Sequence, residues 1–136
     1  MKSVFVDTSG FFAVFVDDDP NHDHAVEVFA RAEQERWRLL TSWFVAFETY
    51  ALLVNRAQRA REAGLTFLGR IENDRYQIVR FRQRDIDKAL EIVRSHRDKK
   101  YSLCDAHSFV VMERLKVSTA ISFDSDFKSY GRFDIL

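Results

Sequence analysis

Asp7 directly follows the apolar run Val4-Phe5-Val6, and Asp124, with Asp126 two residues on, directly follows Ala120-Ile121-Ser122-Phe123. Asp105 stands three residues after Ser102, and Glu48 is the single charged side chain between Trp43 and Val54. Three of these have ordinary structural uses. Asp7 can cap a helix beginning near Ser9. Asp105 fits the third position of a capping box opened by Ser102. Asp124 can close an Asx-turn. Glu48 has no such use, because it lies too far beyond Ser42 for a capping box. The run Trp43–Val54 is apolar nearly all round, which predicts a mostly buried helix. A buried carboxylate without a partner is costly or titrates to neutral, so Glu48 requires an internal ion pair or a metal or catalytic role. Several carboxylates on one edge repel each other unless a hard divalent cation joins them. Mg²⁺, or Mn²⁺, takes oxygen ligands of this kind together with substrate phosphates. No His/Cys set suits zinc. His22-Asp23-His24 after Asp17-Asp18-Asp19 is the one stretch to weigh, and it reads as a loop and helix start.

The elements that must position these groups are legible. Val4-Phe5-Val6 reads as a strand buried on both faces, ending at Asp7-Thr8-Ser9-Gly10. A short helix is expected over Phe11–Val16 and an amphipathic one over His24–Arg36, capped by Asn21 or Asp23. Arg38–Thr41 is a second strand, and Ser42 caps a helix from Trp43 to Ala57. A further helix covers Arg59–Ile71. Tyr76–Phe81 is a third strand, followed by an amphipathic helix Arg84–His96. Ser102 caps a helix over Leu103–Leu115. Ser118–Phe123 is a fourth strand and Phe133–Leu136 a fifth. Strands alternating with helices argue for α/β architecture, a parallel sheet of four to five strands covered on both faces. Ligands in such sheets bind beyond the carboxyl ends of the strands, where Asp7 and Asp124 fall.

Length and charge frame this reading. The 136 residues fit a single domain, 1–136. The chain is 46% hydrophobic and 31% charged, which excludes a disordered chain. Its one cysteine, Cys104, excludes an internal disulfide and reads as a small buried residue in a reducing, cytoplasmic protein. No apolar run suggests a membrane span, and Asp7 comes too early for a signal peptide. Net charge is zero but uneven: −5 over residues 1–49, +6 over 50–100 and −1 over 101–136, with 15 of 21 cations being Arg. Arg suits bidentate contact with phosphate. Thirteen Phe are more rings than a core of this size hides, so an exposed apolar patch is expected, marking an interface.

Together, Val4-Phe5-Val6-Asp7-Thr8-Ser9, Thr41-Ser42 through Glu48, Leu103-Cys104-Asp105-Ala106, and Ala120 through Phe127 with Gly131 resemble PIN-domain ribonucleases of the VapC toxin type. The resemblance covers essentially the whole chain. It implies an α/β/α sandwich whose acidic metal site is Asp7, Glu48, Asp105 and Asp124. Asp126 is an accessory position, and Ser9 or Thr8 would hydrogen-bond the carboxylates or water. It implies Mg²⁺-assisted cleavage of single-stranded or looped RNA, leaving 5′-phosphate and 3′-hydroxyl ends. It also implies a homodimer and a cognate antitoxin whose tail covers the site. An antitoxin groove is expected along Phe11–Val16, and RNA contacts in Arg56–Arg61 and Arg80–Arg84.

Other readings fare worse. A phosphoacceptor receiver domain wants an acidic pair after the first strand, where Thr8-Ser9 stands, and a phosphatase Asp-x-Asp motif fails because Ser9 fills its third place. A noncatalytic PIN-like module binding RNA or protein remains the alternative, separated from the enzyme by metal-dependent nuclease activity.

Overall fold

The computed structural model describes residues 1–56, 60–73 and 75–136. The chain runs β1 (Ser3–Val6), α1 (Thr8–Phe15), α2 (His22–Gln34), β2 (Arg38–Thr41), α3 (Trp43–Val54), α4 (Ala60–Glu72), β3 (Tyr76–Ile78), α5 (Gln83–Ser95), α6 (Leu103–Leu115), β4 (Thr119–Ile121), α7 (Ser125–Tyr130) and β5 (Asp134–Ile135). The sheet is wholly parallel, in the order β3-β2-β1-β4-β5. The expected architecture therefore holds. β1 is central, with Phe5 paired to Leu40 on one side and to Ala120 on the other. The connections diverge from β1, so the edge between β1 and β4 is the topological switch point where such sheets bind ligands.

Val4, Phe5 and Val6 are fully buried, as a strand covered on both faces requires. Gly10 lets α1 lie against β4: a Cβ there would stand 2.7 Å from the Ile121 carbonyl oxygen. That close approach, with the Asp7 N–H bonded to the Ile121 oxygen at 3.1 Å, fixes the end of β1 beside the end of β4. Helix α6 feeds β4, so its N-terminus returns to the same edge and carries Asp105 there. Ser102 caps it by accepting from the Asp105 N–H at 3.0 Å. Helices α5 and α6 are locked by Arg114, which grips the buried Asp85 carboxylate in bidentate fashion at 2.8–3.2 Å.

Several expectations are corrected. The first helix begins at Thr8, not Phe11, so Ser9 lies within it. The third strand stops at Ile78, and Phe81 is exposed. A short helix, α7, follows Asp124; at six residues it is too brief to show a helical period. Its Phe127 is buried against Phe109, and Gly131 ends it at φ 78°. Phe11 is fully buried, edge-on to Phe67 and Tyr76, and cannot line a groove. Helix α3 is not mostly buried: Trp43, Phe44, Phe47 and Leu52 are exposed and Glu48 is half-buried. The ends expected at Ala57 and Arg59 lie outside the described residues.

Candidate metal centre

Asp7 occupies the N-cap position of α1 without capping it. Its side chain turns to two hydroxyls instead. Ser9 and Ser122 each donate to Asp7 Oδ2 at 3.0 Å. The same hydroxyl oxygens accept backbone N–H groups, Ser9 from Phe123 at 2.8 Å and Ser122 from Asp124 at 3.1 Å. The turn after β4 is thereby tied to the carboxylate after β1. Asp124 caps α7, its Oδ1 accepting from the Asp126 N–H at 2.9 Å, the Asx-turn expected from its position.

Asp7, Asp105 and Asp124 each offer an oxygen within 4.8 Å of the other two. Asp7 and Asp105 are buried and Asp124 is half-buried. Burial raises Asp7 to about 6; the two serine hydroxyls oppose this and the Asp124 charge adds to it. Asp105 is pushed up to about 8, chiefly by burial and then by the charges of Asp7, Asp124 and Glu48. Asp7 Oδ1 is buried without a hydrogen-bond partner among the described residues. A partnerless buried oxygen within a mutually repelling trio is what a hard cation would relieve, so these residues fit an oxygen-ligated divalent ion.

Glu48 is not part of the trio. It lines the same cavity of about 600 Å³, together with Thr8, Ser9, Asp7, Asp105 and Asp124. Asp126 stands outside the trio, tied to it through its backbone N–H. Cys104 is half-buried in the first turn of α6; burial and then the charges of Glu48, Asp7 and Asp105 push its thiol up, so it stays protonated. Sequence reasoning missed Ser122, which reads as one more small residue in a buried strand. The available signal was its place at a strand's carboxyl end, two residues before Asp124. Of the cavity's apolar walls, Phe12 falls in the stretch expected to form a partner groove, while Leu52 and Phe123 carry no signal in the sequence that marks them as site residues.

A family model described as the PIN domain matches residues 4–132. The chain is 29% identical over 137 residues to the 23S rRNA-specific endonuclease VapC20 of Mycobacterium tuberculosis, covering 97% of both chains, in strains CDC 1551 / Oshkosh and ATCC 25618 / H37Rv alike. The crystal structure of M. tuberculosis VapC20, a sarcin–ricin loop cleaving toxin, superposes with a TM-score of 0.87 at 27% identity over 96% of this chain and 97% of that one. VapBC2 of Rickettsia felis, solved with a promoter DNA fragment, shares the fold with a TM-score of 0.62 at 12% identity over 98% and 97%. Matched across nearly its whole length, this chain belongs to the PIN-domain family.

Proposed function

We propose that the chain is a divalent-metal-dependent endoribonuclease, the toxin of a toxin–antitoxin pair, acting on looped RNA. The observation that carries this reading is the trio Asp7, Asp105 and Asp124, with Asp7 Oδ1 buried and without a hydrogen-bond partner among the described residues. The trio would hold Mg²⁺ or Mn²⁺. An ion held there would supply positive charge against the scissile phosphate and make a water easier to deprotonate. Ser9 and Ser122 fix the orientation of Asp7. Glu48, on the cavity wall but outside the trio, takes the proton of the attacking water. Water adds to phosphorus and the bond to the 3′ oxygen breaks, the leaving oxygen taking a proton from solvent, which leaves a 5′-phosphate and a 3′-hydroxyl. Asp126 sets Asp124 through its backbone N–H and is accessory.

The similarity to VapC20 over the full length makes 23S rRNA loops the first substrate class to test. Arg56, paired with Asp18 and lying 5.3 Å over the ring of Phe12, a residue of the cavity wall, would meet the RNA backbone. The rest of the Arg56–Arg61 stretch is in part outside the described residues. Exposed Trp43, Phe44 and Phe47 with Phe81 and Leu103 support a homodimer, and the half-buried Phe12 beside the acidic cavity supports an antitoxin that presents a cation to the carboxylates. Among the described residues no helix is long and apolar enough to cross a membrane, which fits a cytoplasmic setting.

The test is cleavage of a sarcin–ricin loop hairpin RNA by purified protein in Mg²⁺, Mn²⁺ or EDTA, with the new ends sequenced. Cleavage is expected in either metal and lost in EDTA. Undiminished cleavage in EDTA overturns the metal mechanism.

A further inference from the structure

The carboxylates fill only part of the 600 Å³ cavity. Its remaining wall contains Phe12, Leu52 and Phe123, with Asp19 and Asn21 at the same mouth. Hydrolysis of a phosphodiester uses none of these. Apolar faces beside polar groups suit a flat heterocycle with a hydrogen-bonding rim, which is a nucleobase.

Phe123 is the ring best fixed for this. Its backbone N–H donates to the Ser9 hydroxyl, which in turn donates to Asp7, so the ring's anchor is two hydrogen bonds from a trio carboxylate. His24, on α2, meets it edge-on at 5.7 Å and 81°. Phe12 already carries the Arg56 guanidinium on its ring. Asn21 sits at the N-cap of α2, yet its side chain does not cap the helix. Asp19 accepts the Asn21 backbone N–H through Oδ1 at 2.8 Å, holding the two residues together.

We propose that the unpaired base next to the scissile phosphate stacks on Phe123 while Asn21 and Asp19 read its edge. This rests on the ribonuclease reading. A carboxylate only accepts hydrogen bonds, so Asp19 favours guanine, whose adjacent N1–H and exocyclic amine both donate, over uracil, whose single N3–H is flanked by two carbonyls. Phe123 is a binding and positioning residue: the stacked base sets the phosphate relative to the trio. Base–aromatic stacking of this kind corresponds to about ten-fold in affinity.

The experiment uses the full chain with Mn²⁺ and the sarcin–ricin hairpin RNA, intact or with one abasic nucleotide at each position flanking the cut. At one position, loss of the base should slow wild-type cleavage about ten-fold. Phe123→Leu should cause a similar loss on intact RNA, chiefly in KM, and no further loss on that abasic RNA; Phe123→Trp should restore the rate. A merely structural role for Phe123 predicts additive losses instead. Asp19→Asn, which keeps the oxygen that accepts the Asn21 backbone N–H but adds a donor, should erase the preference for guanine over uracil, and it carries the test if Phe123→Leu fails to fold. Unchanged kinetics in both variants, or a loss confined to binding of a protein partner, overturns the proposal while leaving the nuclease standing. Failure of the wild type to cleave any RNA removes both.

Discussion

The Ser122 hydroxyl donates to Asp7 Oδ2 at 3.0 Å and accepts the Asp124 backbone N–H at 3.1 Å, so one side chain at the end of β4 orients two of the three carboxylates. Ser122→Ala removes both bonds and leaves Asp7 with Ser9 alone. The expected cost is about 2 kcal/mol of stability, about 1 for each bond lost. Divalent affinity should fall by more than that loss of stability implies, because Asp7 ionises less readily without its donor. Thermal melts with and without Mn²⁺ separate the two effects. A variant with wild-type Mn²⁺ affinity would show that Ser122 does not tune the trio.

Asp105→Asn replaces, at constant volume, a buried carboxyl whose ionised form burial and the neighbouring carboxylates disfavour. Without metal, its melting temperature should equal or exceed that of the parent. The upward shift that Mn²⁺ produces in the parent should vanish, and nuclease activity with it. A large destabilisation in EDTA would instead mean that Asp105 holds a structural partner through its charge.

The same carboxylates set a pH dependence whose sign is opposite to that of a salt-bridged acid. Asp7 is raised from 3.8 to about 6 and Asp105 from 3.8 to about 8, both chiefly by burial. Between those limits the folded chain binds more protons than the unfolded one. Stability of the metal-free protein should therefore fall as pH rises from about 4 to about 8. His107, whose pKa burial lowers from 6.5, works in the other sense below that value. Comparing the parent with Asp105→Asn cancels the His107 contribution. The variant should lose less stability across the window, and added Mn²⁺ should stabilise the parent most at its alkaline end. Equal slopes in EDTA would refute the assignment.

Much of this site is written locally. Asp7 and Asp124 follow buried strands and Asp105 follows a capping serine, patterns that need no knowledge of distant contacts. Ser122 could not be recognised that way, since its role depends on a carboxylate 115 positions earlier. Helix α7 was invisible for want of a full hydrophobic period, although Asp124 and Gly131 mark its two ends. The apolar residues on nearly every side of α3 predict burial for Glu48. That inference fails where a helix keeps an apolar face for something outside the chain, and Phe11, expected at a surface groove, is conversely part of the core.

The exposed face of α3 gives the last prediction. Phe47 is 69% exposed and Trp43 47%, their rings 6.1 Å apart, while Phe44 lies between Phe81 at 6.4 Å and His107 at 4.7 Å. Aromatic rings gathered on one face are costly to leave in water, and a two-fold partner presenting the same face would cover them. The parent should sediment as a dimer at micromolar concentration. Phe47→Asp should shift it to a monomer, because two carboxylates would meet near the axis without partners. Its melting temperature extrapolated to low concentration should change little, since Phe47 contributes almost nothing to the core and such surface changes stay within about 0.5 kcal/mol. Sedimentation velocity reads the mass and thermal melts read the fold. A monomeric parent would assign this face to the antitoxin, and a dimeric Phe47→Asp variant would place the subunit interface elsewhere on the molecule.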